Sequence, residues 1–212
     1  MTAVTPSEQA APVWMHMWSK DRMPHLANCL CRILAEGLYT ALERGRAAWW
    51  GVSLGRGCIF NGTTIFRRYP GTSIAIHDGC RFNSRPTSNP IGVNRPCMMI
   101  TLRRGATIVA GKNCGFSGTV LTSSVGIRLG DRVRCGANTT IIDTDFHTDD
   151  SRAGPDSPVA IGNDVWLGVG VIVLKGVTIG DRSVVGAGSV VTSPIPSGVL
   201  AAGNPARIIR EL

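Results

Sequence analysis

The sequence predicts an all-β fold, a parallel β-helix preceded by a helical segment, and three observations carry that prediction. The first is a six-residue period: from Ile161 the chain reads IGNDVW, LGVGVI, VLKGVT, IGDRSV, VGAGSV, VTSPIP. An aliphatic residue opens every block (Ile161, Leu167, Val173, Ile179, Val185, Val191), and a small or branched one stands four later (Val165, Val171, Val177, Ser183, Ser189, Ile195). Helical spacing cannot generate a period of six. The second is a glycine after the opening aliphatic in four of the six blocks, where a chain turning a tight corner after each short strand is helped by lacking a Cβ. The third is composition: 26 Gly and 12 Pro with only 6% aromatics imply a turn-rich fold filled by small and branched aliphatics. Three blocks make one triangular coil, and coils stack at the spacing of about 4.8 Å between hydrogen-bonded strands.

Taken in chain order, the first element is HLANCLCRILAEGLYTALERGRAAWW (25–50), with apolar residues at 26, 30, 33, 34, 38 and 42 on one helical face. Arg32, Glu36, Glu43 and Arg44 keep it from being a spanning segment. Within an N-terminal region 1–50 this helix either caps the open strand edge of the β-helix or, with Trp14, Trp18, Trp49 and Trp50, rests on a membrane surface. The β-helix occupies 51–200. Its phase is ragged in LGRGCI, FNGTTI and IHDGCR and clear in LGDRVR, CGANTT, IIDTDF (129–146). Loops rich in Pro, Asn and Ser interrupt it at 83–99 and 147–160, and 201–212 form a C-terminal tail. Cys58, Cys80 and Cys114 fall on the inward fourth-after position and Cys135 on an opening one, so they fill the core. His77, at a corner, is expected to face solvent.

At 212 residues and 43% hydrophobic content, one domain with a small appendage can build a real core. Seven scattered cysteines without a secretory signal argue against a disulfide framework and for a reducing cytosol. The opening MTAVTPSEQAAPVW lacks the features of a cleaved targeting peptide. Net charge is +8, and residues 51–142 hold twelve Lys or Arg against Asp78 and Asp131, which points to an anionic partner: a phosphate-bearing cofactor, an acidic glycan or an anionic membrane. Nucleic acid is disfavoured, since no nucleic-acid-reading motif or interleaved aromatics accompany the charge.

The stretch IIDTDFHTDD (141–150) sets four aspartates around one histidine where a completed coil runs out into a loop. Together with GFSGTVL, IGNDVWLG, IGDRSVVGAGSVVT and AAGNPARIIREL, it resembles the hexapeptide-repeat acyltransferases. These are left-handed β-helix enzymes that include the maltose and galactoside acetyltransferases and the bacterial polysaccharide O-acetyltransferases. The likeness covers residues 100–212 well and is looser from 51. It implies a left-handed parallel β-helix, acetyl-CoA as acyl donor, no metal, and a homotrimer with its sites in clefts between subunits. The cysteine usage sets such an enzyme in the cytoplasm, and the N-terminal helix with its tryptophans offers it a contact with the inner face of the membrane.

Residue by residue, the resemblance makes His147 the general base. The chemistry agrees, because a sugar hydroxyl is a poor nucleophile until a positioned imidazole takes its proton. Asp145, or else Asp143, would orient that ring. Ser117 falls where the maltose and galactoside enzymes carry an acceptor-binding asparagine, and Asp143 and Trp166 are also assigned to the acceptor, although Trp166 could equally fill space between subunits. Val169 matches the residue whose backbone N–H meets the thioester oxygen. Ala187 and Thr192 match the pantetheine path, Ser193 replaces a lysine facing the coenzyme phosphates, and Arg207 and Arg210 are basic tail positions able to compensate. The implied reaction is O-acetylation of a sugar hydroxyl in cell-surface polysaccharide biosynthesis. The alternatives are N-acetylation of an amino sugar, acetylation of an antibiotic, and a non-enzymatic scaffold. A zinc carbonic anhydrase on this fold would need three histidine ligands, and only His77 and His147 lie in the repeats.

Overall fold

The structure is a computed structural model that describes residues 22–147 and 149–212. The chain divides into two compact units, Met1–Ala35 and Glu36–Leu212, the first described from Arg22 onward. In the second, short strands wind into a three-sided prism. Its first face stacks six parallel strands from Ser53–Leu54 to Thr178–Ile179, and its third stacks six from Ile65–Arg67 to Val190–Val191. The second face has eight, from Ile59–Asn61 through Val199–Gly203 to Ala206–Glu211, the last pair antiparallel.

The hexad phase dictates what lies inside. All six opening aliphatics from Ile161 to Val191 are buried, as are Cys58, Cys80, Cys97, Cys114 and Cys135. Burial pushes the Cys97 and Cys135 thiols up, and in the stacked column Cys58–Cys80–Cys114 the Cys80 thiol is pushed up to about 12, chiefly through its contact with Cys114. The early coils are wider inside. There Phe60, Phe82 and Phe116 stack one coil above another at centroid separations of 4.6 and 5.0 Å. The outward side of the third face is largely apolar, with Ile65, Met98, Val120, Ile172 and Val190 half-buried in one column that Thr140 interrupts between Val120 and Ile172.

Three boundaries differ from the sequence reading. The irregular stretches are shorter, 84–97 and 143–158, because Met98–Thr101 and Val159–Ile161 are strands. The tail is a strand hairpin rather than an extended end. The helix, α1 (Arg22–Trp49), caps the prism with the face opposite its leucines. An open parallel edge presents unpaired N–H and C=O groups, and only polar side chains satisfy them. Accordingly Thr40 Oγ1 accepts from Phe60 N (3.0 Å), Glu43 Oε2 accepts from Thr64 N (3.2 Å), and Arg44 donates to Gly55 O (3.2 Å). Glu36 accepts from Asn61 and Arg81. Glu43 is 1% exposed and Ala47 0%, whereas Leu38 is 61%, Leu42 55% and Trp49 87% exposed. Burial raises the Glu43 carboxyl above the usual range, opposed by the Thr64 N–H and Arg46. No described helix is long and apolar enough to cross a membrane.

Candidate active site

Two corners of the prism carry the residues singled out by the sequence. Where the second face turns into the third, a groove of about 380 Å³ runs past Trp166, Val169 and Ala187. Its floor is Gly136, Gly168 and Gly186, one per coil, and the coils above leave no room for side chains there. A Cβ on Gly168 would lie 2.6 Å from Ala187 N, and one on Gly136 2.7 Å from the Gly168 carbonyl carbon. Among the described residues the Val169 N–H has no acceptor, although its carbonyl accepts from Gly188 N at 2.7 Å. The groove therefore offers a narrow apolar floor with a backbone donor beside it. Trp166 is 54% exposed and flanks Arg134 in register.

The wall of this groove comes from residues that the sequence did not single out. Asn89 and Ile91, in the 84–97 loop, line it. Ser117, buried on the adjoining strand, accepts from both Asn89 Nδ2 and Asn83 Nδ2 at 3.1 Å. Where an asparagine was expected, the chain thus has a serine hydroxyl held by two amides from elsewhere. The loop is pinned by Arg95, which donates to Gly118 O (3.1 Å), Asn138 O (2.6 Å) and Thr140 Oγ1 (2.7 Å).

The other corner, from the third face back to the first, carries the 143–158 loop. Asp143 is fully buried, and both its oxygens are taken by the preceding coil's turn: Ser124 N on Oδ1 (2.6 Å), and Ser123 Oγ, Val125 N and Gly126 N on Oδ2 (2.7–3.0 Å). These bonds make it the anchor of the loop, tied to the turn of the coil before. Asp145 gives Oδ2 to Lys175 Nζ, which also holds Gly154 O at 2.6 Å. Among the described residues no hydrogen bond joins Asp145 to His147. Phe146 takes φ 65°, a left-handed turn uncommon for a bulky residue, and the next residue, His147, stands exposed. Thr192 and Ser193 follow the last strand of the third face on this same corner and are exposed. Arg207 and Arg210 are exposed on the outermost strand of the second face, opposite Ala202 and Leu200.

One chain thus gathers Ser117, Trp166, Val169 and Ala187 at one corner. It keeps His147, Asp145, Thr192 and Ser193 at the next, with the apolar third face between.

The triangular stack of hexapeptide rungs is the pattern shared with the bacterial hexapeptide transferases. Residues 158–193 match the model of that class described as bacterial transferase hexapeptide (six repeats). The chain is similar to galactoside O-acetyltransferase of Escherichia coli (strain K12), 41% identical over 114 residues, covering 51% of this chain and 56% of the relative. It is also similar to galactoside O-acetyltransferase of Lactococcus lactis, 45% identical over 97 residues, covering 43% of this chain and 46% of that one. The chain spans about half the length of the curated relatives it matches. Among solved structures, an N-acyltransferase from Bacillus cereus, AntD, shares the fold with a TM-score of 0.58 at 21% identity, covering 79% of this chain and 87% of that one. The family resemblance and the left-handed parallel β-helix expected from the sequence are borne out.

Proposed function

We propose that this protein transfers an acetyl group from acetyl-CoA to a hydroxyl of a sugar, in a homotrimer whose active sites lie between subunits. The observation that carries the reading is the unpartnered Val169 N–H above the glycine-floored groove. An apolar slot of that width suits the thin pantetheine arm, with Ala187 along it, and the free amide suits the oxygen of the reacting thioester. His147 acts as general base. Its imidazole takes the proton of the acceptor hydroxyl as that oxygen attacks the thioester carbonyl, and the Val169 N–H holds the oxyanion. Collapse expels the coenzyme thiolate, which takes the proton back from the imidazolium.

The base and the groove sit on neighbouring corners of one chain, so a base from one subunit serves the groove of another. The largely apolar third face supports such a contact, since packed between copies it would lose its exposure to water. Asp145 steadies the His147 segment through Lys175. Thr192 and Ser193 line the coenzyme's path, with Arg207 and Arg210 toward its phosphates. Ser117, Asn83 and Asn89, with Trp166, form the acceptor end, which we assign to a cell-surface polysaccharide or its precursor on the cytoplasmic side of the membrane. The test is an acetyl-transfer screen against glycan fragments, amino sugars and antibiotics, with coenzyme release as readout. Coenzyme A should raise the melting temperature. A protein neither stabilised by coenzyme A nor releasing it would be a scaffold; preference for an amine would make it an N-acetyltransferase.

A further inference from the structure

We infer that the outward face of α1 seats this protein on an anionic lipid surface. The inference concerns a different part of the molecule from the active site and stands or falls separately from the transferase reading. It begins with the inverted cap. Because the open edge of the first coil recruits Glu36, Thr40 and Glu43, the helix turns Leu38, Leu42 and Trp49 away from the prism. Within the first unit, Leu26, Leu30 and Leu34 keep the same four-residue spacing and are 48%, 58% and 65% exposed. Large apolar side chains exposed at helical spacing are more than scattered surface hydrophobicity, and mark a site of contact.

Charge decides the occupant. Between Glu43 and Asp78 stand five arginines (Arg44, Arg46, Arg56, Arg67, Arg68) and no acid. Arg44 and Arg68 are tethered to the neutral carbonyls of Gly55 and Gly51, so their charge is retained, whereas Arg46 stands 3.7 Å from the Glu43 carboxylate and is partly offset by it. Both acids of the helix are turned inward onto the prism. Trp49, Trp50 and Tyr69 stand 87%, 38% and 50% exposed among these arginines, the pairing of amphipathic rings and cations that suits the headgroup layer. A second copy docked on this face would oppose one set of arginines to another. Anionic headgroups would neutralise them while the leucines entered the acyl boundary.

The experiment is vesicle flotation of the full chain. Binding to phosphatidylcholine vesicles containing about 30 mol% phosphatidylserine should exceed binding to pure phosphatidylcholine by roughly tenfold or more, and should fall steeply between about 0.05 and 0.5 M salt. Leu38→Glu with Leu42→Glu should abolish flotation. Arg46→Gln with Arg67→Gln should weaken it by about fivefold per arginine. Coenzyme A stabilisation should persist in both variants, which separates this outcome from any failure of the transferase reading. Equal partition onto neutral vesicles, or none onto anionic ones, overturns the inference. So does a drop in oligomeric mass by light scattering in the leucine variant, which would assign the face to contact between copies. If the leucine variant does not fold, brominated-lipid quenching of tryptophan fluorescence in the wild type and in Trp49→Phe decides: quenching reduced in Trp49→Phe supports the inference, and quenching unchanged between the two refutes it.

Discussion

The two corner loops are fastened in different ways. The 84–97 loop is tied near its middle, where Asn89 Nδ2 donates to Ser117 Oγ, and again toward its end, where Asn138 Oδ1 receives Asn94 N and Arg95 reaches into three groups of the neighbouring coils, so it stands as a fixed wall of the groove. The 143–158 loop is fastened at its roots, by Asp143 to the coil before and by Lys175 to the coil after. Its middle is held by turns of its own: Asp150 N to His147 O at 3.2 Å, and Ala153 N to Asp150 O at 3.0 Å. A binding wall is best built in advance, while a proton acceptor can be presented on an arm whose final setting comes from the surface it meets. Under the proposed mechanism, the difference teaches that each chain supplies a finished groove and an unfinished base.

The sharpest way to break the comparison is to remove the base. His147→Ala should lower acetyl transfer by about 10²- to 10⁴-fold with little change in melting temperature; near-normal turnover would sink the proposed mechanism. Next is Asp143→Ala, which strips four donors of a buried carboxylate. We expect a loss of about 3–5 kcal/mol, seen as a melting temperature lower by roughly 10 °C. A shift of a degree or two would mean that the loop root is held by something else.

Arg95→Ala should cost less, about 2 kcal/mol, because its partners are two carbonyls and a hydroxyl that water can reach once the loop lifts. Its signature should be weaker coenzyme A binding, by calorimetry, that exceeds any loss in His147→Ala. The smallest effect belongs to the loop's outer rim. The Arg152 guanidinium holds the exposed Asp150 carboxyl below the usual carboxylate range. Whatever this pair contributes is present at neutral pH and fades as pH falls through that lowered value. Asp150→Asn should leave the melting curve unchanged at pH 7, and a clear drop would mean that the middle of the loop is structurally committed.

Much of this was legible because a hexad repeat writes its inward positions directly: each opening aliphatic from Ile161 onward points into the prism. The coils between 98 and 128 were harder. Their inward residues, such as Met99, Ile108 and Leu121, are apolar, but Arg, Thr and Ser dilute the phase, and the register is set by coils above and below. Position alone could not find Asn83 and Asn89, which lie 34 and 28 residues from Ser117 and meet it only once the coils stack. A signal was present in the asparagine-rich loop, though not its target. Helical periodicity found α1 but left its facing open, because an apolar stripe predicts burial only where the partner surface is apolar, and a bare strand edge is not.

In the regular coils between Val159 and Val191, partners on the same face lie eighteen residues apart, as Ile161 does from Ile179, so the natural unit of change there is a whole turn of the prism. Both ends are finished locally, one by a helix and the other by an antiparallel hairpin. A storey could therefore be inserted or excised between them, lengthening or shortening the building while foundation and roof stay as they are.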